Sequence, residues 1–153
     1  MADQPQLSID SLQPDDMPFI LELEQLSFND PYPSWLLSDL ARKNPDTFLV
    51  AKTEGKTIGY AIIDQWDDHY HLVSIAVHPD SRKRGVATAL LKVLEQRLLK
   101  DEIIRLEVRR SNEAAISFYL KHGFVRTDEM LDYYADGEDA IIMEKSSIET
   151  GTG

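Results

Sequence analysis

Three consecutive basic residues and one glycine stand where a strand-like segment gives way to a helix-like one. Arg82, Lys83 and Arg84 precede Gly85, after the apolar SIAV segment and before a long stretch with amphipathic helical spacing. The first amides of a helix lack intrahelical acceptors, and the helix dipole favours an anion at that end. Basic side chains add charge to such a site. Residues 82–88 therefore predict the binding of a phosphate-bearing molecule.

Two common phosphate-binding loops do not fit this segment. A Walker A loop needs an earlier glycine and a Gly-Lys pair, and RKRGVAT has neither. A dinucleotide fingerprint needs several glycines after the first strand of its fold, whereas Gly85 stands alone after the fourth predicted strand. What remains is Arg82-x-x-Gly85-x-Ala87, in which Gly85 permits a close turn and Ala87 adds no bulk near a ligand.

Composition limits the class of protein. The 153 residues are 42% hydrophobic, which suits one globular domain. A formal net charge of −11 argues against a nucleic-acid binder. It suits a cationic partner such as an amine or a basic peptide, and solubility alone would explain it equally well. The absence of cysteine excludes disulfides, thiolate metal sites and a cysteine nucleophile. No signal peptide or membrane-spanning stretch is visible, so we expect a cytoplasmic protein without membrane partners.

Hydrophobic periodicity and turn signals predict an α+β (mixed α/β) protein with a helical crossover. Strands are expected near residues 7–9, 48–52, 57–66, 70–77, 103–109, 124–130 and 139–145. Helices are expected at 14–27, from Ser34 to about 40, at 85–99, and from Ser111 or Asn112 to His122. The polar ends, residues 1–6 and 146–153, are expected to be flexible, which leaves a domain at 7–145.

The Arg82-x-x-Gly85-x-Ala87 segment resembles the Gln/Arg-x-x-Gly-x-Gly/Ala motif of the GCN5-related N-acetyltransferases (GNAT). The segments LEVRRSNEAAISFYLKHGF and YYADGEDA resemble the protein N-terminal acetyltransferase branch of that superfamily. YYADGEDA is similar to NatA-like members, and SFNDPYPSW to the RimI type. The resemblance covers about residues 7–145. It implies the GNAT fold, a central twisted mixed sheet of about seven strands flanked by about four helices.

The same resemblance implies acetyl-CoA as co-substrate and no metal. Backbone groups of Ile75, Ala76 and Val77 would pair with the pantetheine arm of acetyl-CoA. The residues expected to cradle its pyrophosphate are Lys83, Arg84, Gly85, Val86, Ala87 and Thr88, with added charge from Arg82. Asn112 is expected to touch the cofactor, and as the first residue of a helix it could equally be an ordinary N-cap.

By resemblance, Glu107 is the general base and Tyr119 the general acid that protonates the departing thiolate near the cofactor. Strand alternation places Glu107 on the face opposite Leu106 and Val108. His71 matches a histidine of archaeal NatA-like members and could relay a proton. Those relatives carry a glutamate in a Leu-Pro-Glu-Asn stretch where this chain has FNDP. This difference favours Glu107 as the general base.

Two aromatic loops are expected to grip the substrate through Phe28, Pro31, Tyr32, Tyr133 and Tyr134. An α-amine costs about 1 kcal/mol to deprotonate at pH 7, and a lysine about 4.6 kcal/mol. Together with the resemblance, this predicts that a monomer acetylates protein N-termini, with those of ribosomal proteins among the candidate substrates. A transferase for small amines such as polyamines and a CoA-binding module without turnover stay open as alternatives.

Overall fold

The computed structural model describes residues 6–99 and 101–146. Its strands are β1 (Leu7–Ser11), β2 (Phe48–Thr53), β3 (Lys56–Gln65), β4 (Tyr70–Val77), β5 (Ile103–Arg109), β6 (Val125–Met130) and β7 (Ala140–Ser146). Its helices are α1 (Met17–Ser27), α2 (Ser34–Lys43), α3 (Val86–Arg97) and α4 (Glu113–Lys121), with 3₁₀ turns at Pro14–Asp16 and Pro79–Ser81. The expectations for residues 1–5 and 147–153 lie outside the described residues.

The strands form one mixed sheet in the order β1-β2-β3-β4-β5-β7-β6. The pairs β1–β2, β2–β3, β5–β7 and β6–β7 are antiparallel, and β4–β5 is parallel. A parallel pair needs a crossover connection, which α3 provides between β4 and β5. The predicted mixed sheet of about seven strands with four helices is confirmed.

The described residues divide into two compact units, one of residues 6–64 with 73–98, the other of 65–72 with 99 and 101–146. The core of the first unit is formed by Ile20, Leu23, Leu37, Leu40, Phe48, Val50, Tyr60, Ile62 and Ala76. The buried apolar residues of the second include Ile104, Leu106, Val108, Phe124, Ile141 and Met143. Alternate residues of β5 point into that core, as its burial pattern shows.

The start of α1 and the end of α3 differ from the predicted boundaries. The helix expected from Pro14 begins as the 3₁₀ turn Pro14–Asp16, and α1 starts only at Met17. Pro18 has no N–H, so an α-helix that began at Pro14 would lack the bond from residue 18 to residue 14. At the other boundary, α3 ends at Arg97 because Leu98 adopts an extended conformation (φ −74°, ψ 135°), two residues before the predicted end.

Candidate active site

The basic turn of the first unit joins the end of β4 to the start of α3. Arg82, Lys83 and Arg84 are exposed. Lys83 and Gly85 have left-handed φ angles of 64° and 80°. For glycine this conformation carries no steric cost, whereas for lysine it costs about 1–2 kcal/mol. Gly85 is the N-cap of α3 and offers no capping side chain. The helix start and its three cations are therefore suited to an anion, as the sequence predicted.

Two contacts fix the strand that leads into this turn. Arg82 donates from Nε to the carbonyl of Val77 at 3.0 Å, so part of its guanidinium binds the protein itself. Gly59 on β3 lies against Ala76, and a Cβ atom there would come within 3.0 Å of the Ala76 carbonyl oxygen. Ala76 and Val77 are buried and Ile75 is half-buried. Sequence reasoning did not single out Gly59, because an isolated glycine in a strand does not show what approaches it.

Glu107 is the centre of the second unit's polar cluster. It is half-buried on β5, between the buried Leu106 and Val108, which confirms the predicted alternation. Nε2 of His71 lies 3.1 Å from Oε1 and 2.9 Å from Oε2 of Glu107. The two residues are 36 positions apart in the chain and meet because β4 and β5 pair in parallel at His71 and Arg105. The structure thus brings the predicted base and the predicted relay into direct contact.

The charge of the Glu107 carboxylate contributes to a raised pKa at two tyrosines. Burial raises the pKa of Tyr119, and the nearby Glu107 charge raises it further. The Tyr119 ring packs edge-on against Phe118 and Phe124, each at a centroid distance of 5.4 Å. The pKa of Tyr133 is raised by the same two causes in the same order. Both phenols therefore stay protonated at neutral pH, which suits a proton donor.

The remaining predicted residues of the second unit have defined structural partners. Oδ1 of exposed Asn112 accepts from the Ala115 amide at 3.2 Å, so the N-cap interpretation is confirmed and the cofactor contact stays a prediction. The Tyr134 ring lies 4.1 Å below the Arg109 guanidinium. The amides of Tyr133 and Tyr134 donate to the Glu138 carbonyl at 3.1 and 3.0 Å, which closes their loop.

The loop after α1 is anchored by a buried carboxylate that the sequence analysis missed. Glu24 is 1% exposed. It accepts from the Tyr32 amide at 2.8 Å and from the Tyr60 hydroxyl through a short hydrogen bond. Phe28 and Tyr32 pack against the first unit's core, while Pro31 is exposed. A carboxylate one turn after the core residue Ile20 was the available signal, because that position faces inward on a helix.

Replacing Glu24 with alanine is expected to destabilise the protein by about 2–4 kcal/mol, because the buried Tyr60 hydroxyl and the part-buried Tyr32 amide lose their acceptor. Glu24→Gln should stay within about 1 kcal/mol, since the amide can accept from Tyr32 and donate to the Tyr60 hydroxyl oxygen. Burial raises the pKa of Glu24, so its ionisation opposes folding as pH rises above the ordinary carboxyl range. Denaturant titrations should therefore show the free energy of unfolding of Glu24→Gln rising relative to that of wild type as pH increases. An equal loss of stability in Glu24→Ala and Glu24→Gln would contradict this role.

The predicted site residues divide between the two units. The first carries the basic turn, the end of β4 and the loop after α1, and the second carries Glu107, His71, Tyr119, Asn112, Tyr133 and Tyr134. Across residues 6–99 and 101–146, no three His, Cys, Asp or Glu side chains are grouped to hold a metal ion. None of the described helices is both long and apolar enough to span a membrane.

Known proteins resemble this chain along most of its length. The sequence pattern of the acetyltransferase (GNAT) family matches residues 15–124. An N-alpha-acetyltransferase of Sulfurisphaera tokodaii is 33% identical over 144 residues, covering 84% of this chain and 86% of that protein. The ribosomal protein bS18-alanine N-acetyltransferase of Escherichia coli is 36% identical over 143 residues, covering 89% and 95%.

Solved structures agree with these relatives. The crystal structure of Ard1 from Thermoplasma volcanium matches with a TM-score of 0.84 and 30% identity, covering 92% of this chain and 97% of that one. Fold, motif and relatives give the same assignment. The chain belongs to the acetyltransferase (GNAT) family, in its N-terminal acetyltransferase branch.

Proposed function

We propose that this protein transfers the acetyl group of acetyl-CoA to the α-amino group of protein N-termini, directly and without a covalent enzyme intermediate. The observation that carries the proposal is the contact of Glu107 with His71 beside the protonated Tyr119. A carboxylate able to accept a proton and a phenol able to donate one are the two groups that acyl transfer to an amine requires. The names of the relatives support the α-amine as acceptor.

In this reaction Glu107 accepts one proton and Tyr119 donates one. Glu107 accepts a proton from the substrate ammonium, which leaves the nitrogen lone pair free to attack the thioester carbonyl carbon. As the new C–N bond forms and the C–S bond breaks, Tyr119 donates its proton to the thiolate sulfur. The nitrogen then gives up a second proton, which restores the Tyr119 phenol. In total, an ammonium and a thioester become an amide, a thiol and one proton for solvent.

Acetyl-CoA is assigned to the first unit's phosphate site and to two further elements. The left-handed residues Lys83 and Gly85 form the turn that places the three cations directly before the first amides of α3. These amides and side chains would hold the pyrophosphate. The backbone of β4 from Ile75 to Val77 would hold the pantetheine arm, and Asn112 would contribute a further contact from its amide nitrogen.

The peptide substrate is assigned to the two aromatic loops. Pro31 is exposed and Tyr133 is 44% exposed, so both side chains are accessible to the N-terminal end of a substrate peptide. The net charge of −11 favours a cationic end over an anionic one. As part of the same proposal, the protein acts as a monomer in the cytoplasm, and ribosomal proteins are among its substrates. The small-amine and binding-module alternatives are tested by the same assay.

The test is a panel of short peptides beginning with Ser, Ala, Met-Leu, Met-Glu and the Ala-Arg of a ribosomal-protein end. An N-blocked lysine peptide and a polyamine serve as comparison substrates. We expect the free α-amine peptides to be acetylated at least tenfold faster than the lysine peptide, because the α-amine is easier to deprotonate by about 3.6 kcal/mol. Faster turnover of the polyamine than of every peptide would favour the small-amine alternative. Acetyl-CoA binding without any turnover would favour the binding module.

A further inference from the structure

The Glu107–His71 contact is the inner end of a longer hydrogen-bonded chain. Nδ1 of His71 lies 3.1 Å from Nε2 of His69, and Nδ1 of His69 lies 2.7 Å from Oδ1 of Asp68. His69 and His71 are 1% and 6% exposed, whereas the Asp68 side chain is 78% exposed. Each imidazole therefore uses both ring nitrogens, and the chain runs from a half-buried carboxylate to one in contact with solvent.

Trp66 holds both rings of this chain in place. Its indole stacks on His71 at 4.3 Å with an interplanar angle of 7°, and meets His69 edge-on at 4.8 Å. Its backbone amide donates to the His69 carbonyl at 2.9 Å. An indole against both imidazoles limits ring rotation and keeps water from one face of His71. The hydrogen bonds are thereby kept in line.

The geometry also sets how many protons are needed for all three contacts to be hydrogen bonds at once. Three contacts of hydrogen-bond length need three protons, one in each, because two facing lone pairs repel. Two neutral imidazoles carry only two N–H protons, and ionised carboxylates carry none. When all three contacts are hydrogen bonds, the chain holds one proton more than its neutral imidazoles supply. The additional proton can be carried by either imidazole, as an imidazolium, or by either carboxylate with both rings neutral. This is the state that the chain reaches once Glu107 has accepted a proton.

We propose that His69 and Asp68 carry the proton that Glu107 removes from the substrate amine out to solvent. The inference rests on the proposed function, because acetylation of an ammonium releases one net proton per turnover. It gives that proton a route through the protein. Neither His69 nor Asp68 touches the reacting atoms in this scheme; both act through His71 and Glu107.

One proton crosses each of the three hydrogen bonds in turn. Protonated Glu107 gives its proton to Nε2 of His71, whose Nδ1 proton passes to Nε2 of His69. The Nδ1 proton of His69 then passes to Asp68 and leaves to water. No bond other than O–H and N–H is made or broken, and each ring must exchange tautomers before the next cycle.

The surrounding charges affect the two ends of the path differently. The hydrogen bond from His69 lowers the pKa of Asp68, with a smaller contribution from the charge of Arg105, so Asp68 is ionised at neutral pH and readily releases to water a proton that it receives. Arg105 is itself paired with Glu144 on β7 at 2.6 Å. At the inner end, Glu107 faces the uncharged phenols of Tyr119 and Tyr133, which add no competing negative charge.

Asp68→Asn tests the outer end of the path with little change in structure. The asparagine oxygen can still accept from Nδ1 of His69, but it cannot take the proton. In dilute buffer we expect kcat on an α-amine peptide to fall about 3- to 10-fold with an unchanged KM for acetyl-CoA. Added imidazole should restore it by removing the proton directly. Asp67→Asn removes the same charge from the neighbouring exposed residue and should leave kcat unchanged in both buffers.

His69→Gln tests the middle of the path. We expect a 10- to 100-fold loss of kcat, partial rescue by imidazole, and a changed dependence of kcat on the deuterium content of the water. A purely structural role would lower the melting temperature without rescue by imidazole. Wild-type kcat for Asp68→Asn in dilute buffer, or an equal loss in Asp67→Asn, would overturn the proposal. If wild-type protein does not acetylate α-amines at all, the proposed function fails instead.

Discussion

Replacing Glu107 with glutamine is expected to lower kcat by about 10²- to 10³-fold while leaving the affinity for acetyl-CoA near that of wild type. The amide oxygen can still accept from Nε2 of His71, which keeps the 2.9–3.1 Å contact, but it cannot accept a proton from the substrate amine. The residues proposed to bind the cofactor lie on the basic turn, at the end of β4 and at Asn112, and none of them is altered. Steady-state kinetics on an α-amine peptide and calorimetric titration with acetyl-CoA measure the two quantities separately.

Glu144→Gln is the matched control for this variant. Glu144 is another half-buried carboxylate of the same sheet, on β7, and its partner is Arg105 at 2.6 Å. Its loss should cost about 1 kcal/mol of stability or less and change kcat by less than about twofold. A wild-type kcat in the Glu107→Gln enzyme would show that Glu107 is not the general base. An equal loss of activity in both variants would point to a general effect of charge.

Replacing Tyr119 with phenylalanine is expected to lower kcat by about 10- to 100-fold, because the thiolate then leaves without a positioned proton. The side chain loses only its hydroxyl, so the packing against Phe118 and Phe124 is retained. Since burial and the Glu107 charge both raise the pKa of Tyr119, the wild-type phenol stays protonated beyond the ordinary tyrosine range near pH 10. A kcat–pH profile of wild type should therefore show no loss of the acid below about pH 10.

Tyr70→Phe controls for the loss of a phenol elsewhere in the second unit. The Tyr70 hydroxyl accepts from the Leu99 amide at 3.2 Å. Removing it should cost about 1 kcal/mol of stability and leave kcat unchanged. An active Tyr119→Phe enzyme, or an alkaline loss of wild-type kcat well below pH 10, would show that another group protonates the thiolate.

The sequence predicted best those features that depend on local periodicity. Alternation along β5 was enough to place Glu107 opposite Leu106 and Val108, and the residue types around Asn112 were enough to predict its N-cap. The crossover helix follows from strand, basic turn and amphipathic stretch in that order. These features need no knowledge of which residues meet across the fold, so pattern alone determines them.

The features that depend on tertiary contacts were harder to predict. A hydrogen-bond network that spans 36 residues joins Glu24 to Tyr32 and Tyr60. The sequence around Glu24 does not indicate which groups donate to it. His69 and His71 are both buried although the preceding Asp67 and Asp68 are exposed, and the polar residue types give no signal of this burial. Their contact with each other depends on ring orientation, which Trp66 fixes from outside the strand.

The central claim is that the acceptor is an α-amine, and a single peptide can test it. The peptide begins with Ser or Ala and carries one internal lysine. It is incubated with the enzyme and acetyl-CoA until about one acetyl group per peptide molecule is incorporated. Fragment mass spectrometry then assigns the modified nitrogen. The account predicts acetyl on the N-terminal nitrogen and at least tenfold less on lysine, as the difference in their deprotonation cost requires. Acetyl found mainly on the lysine side chain would contradict it.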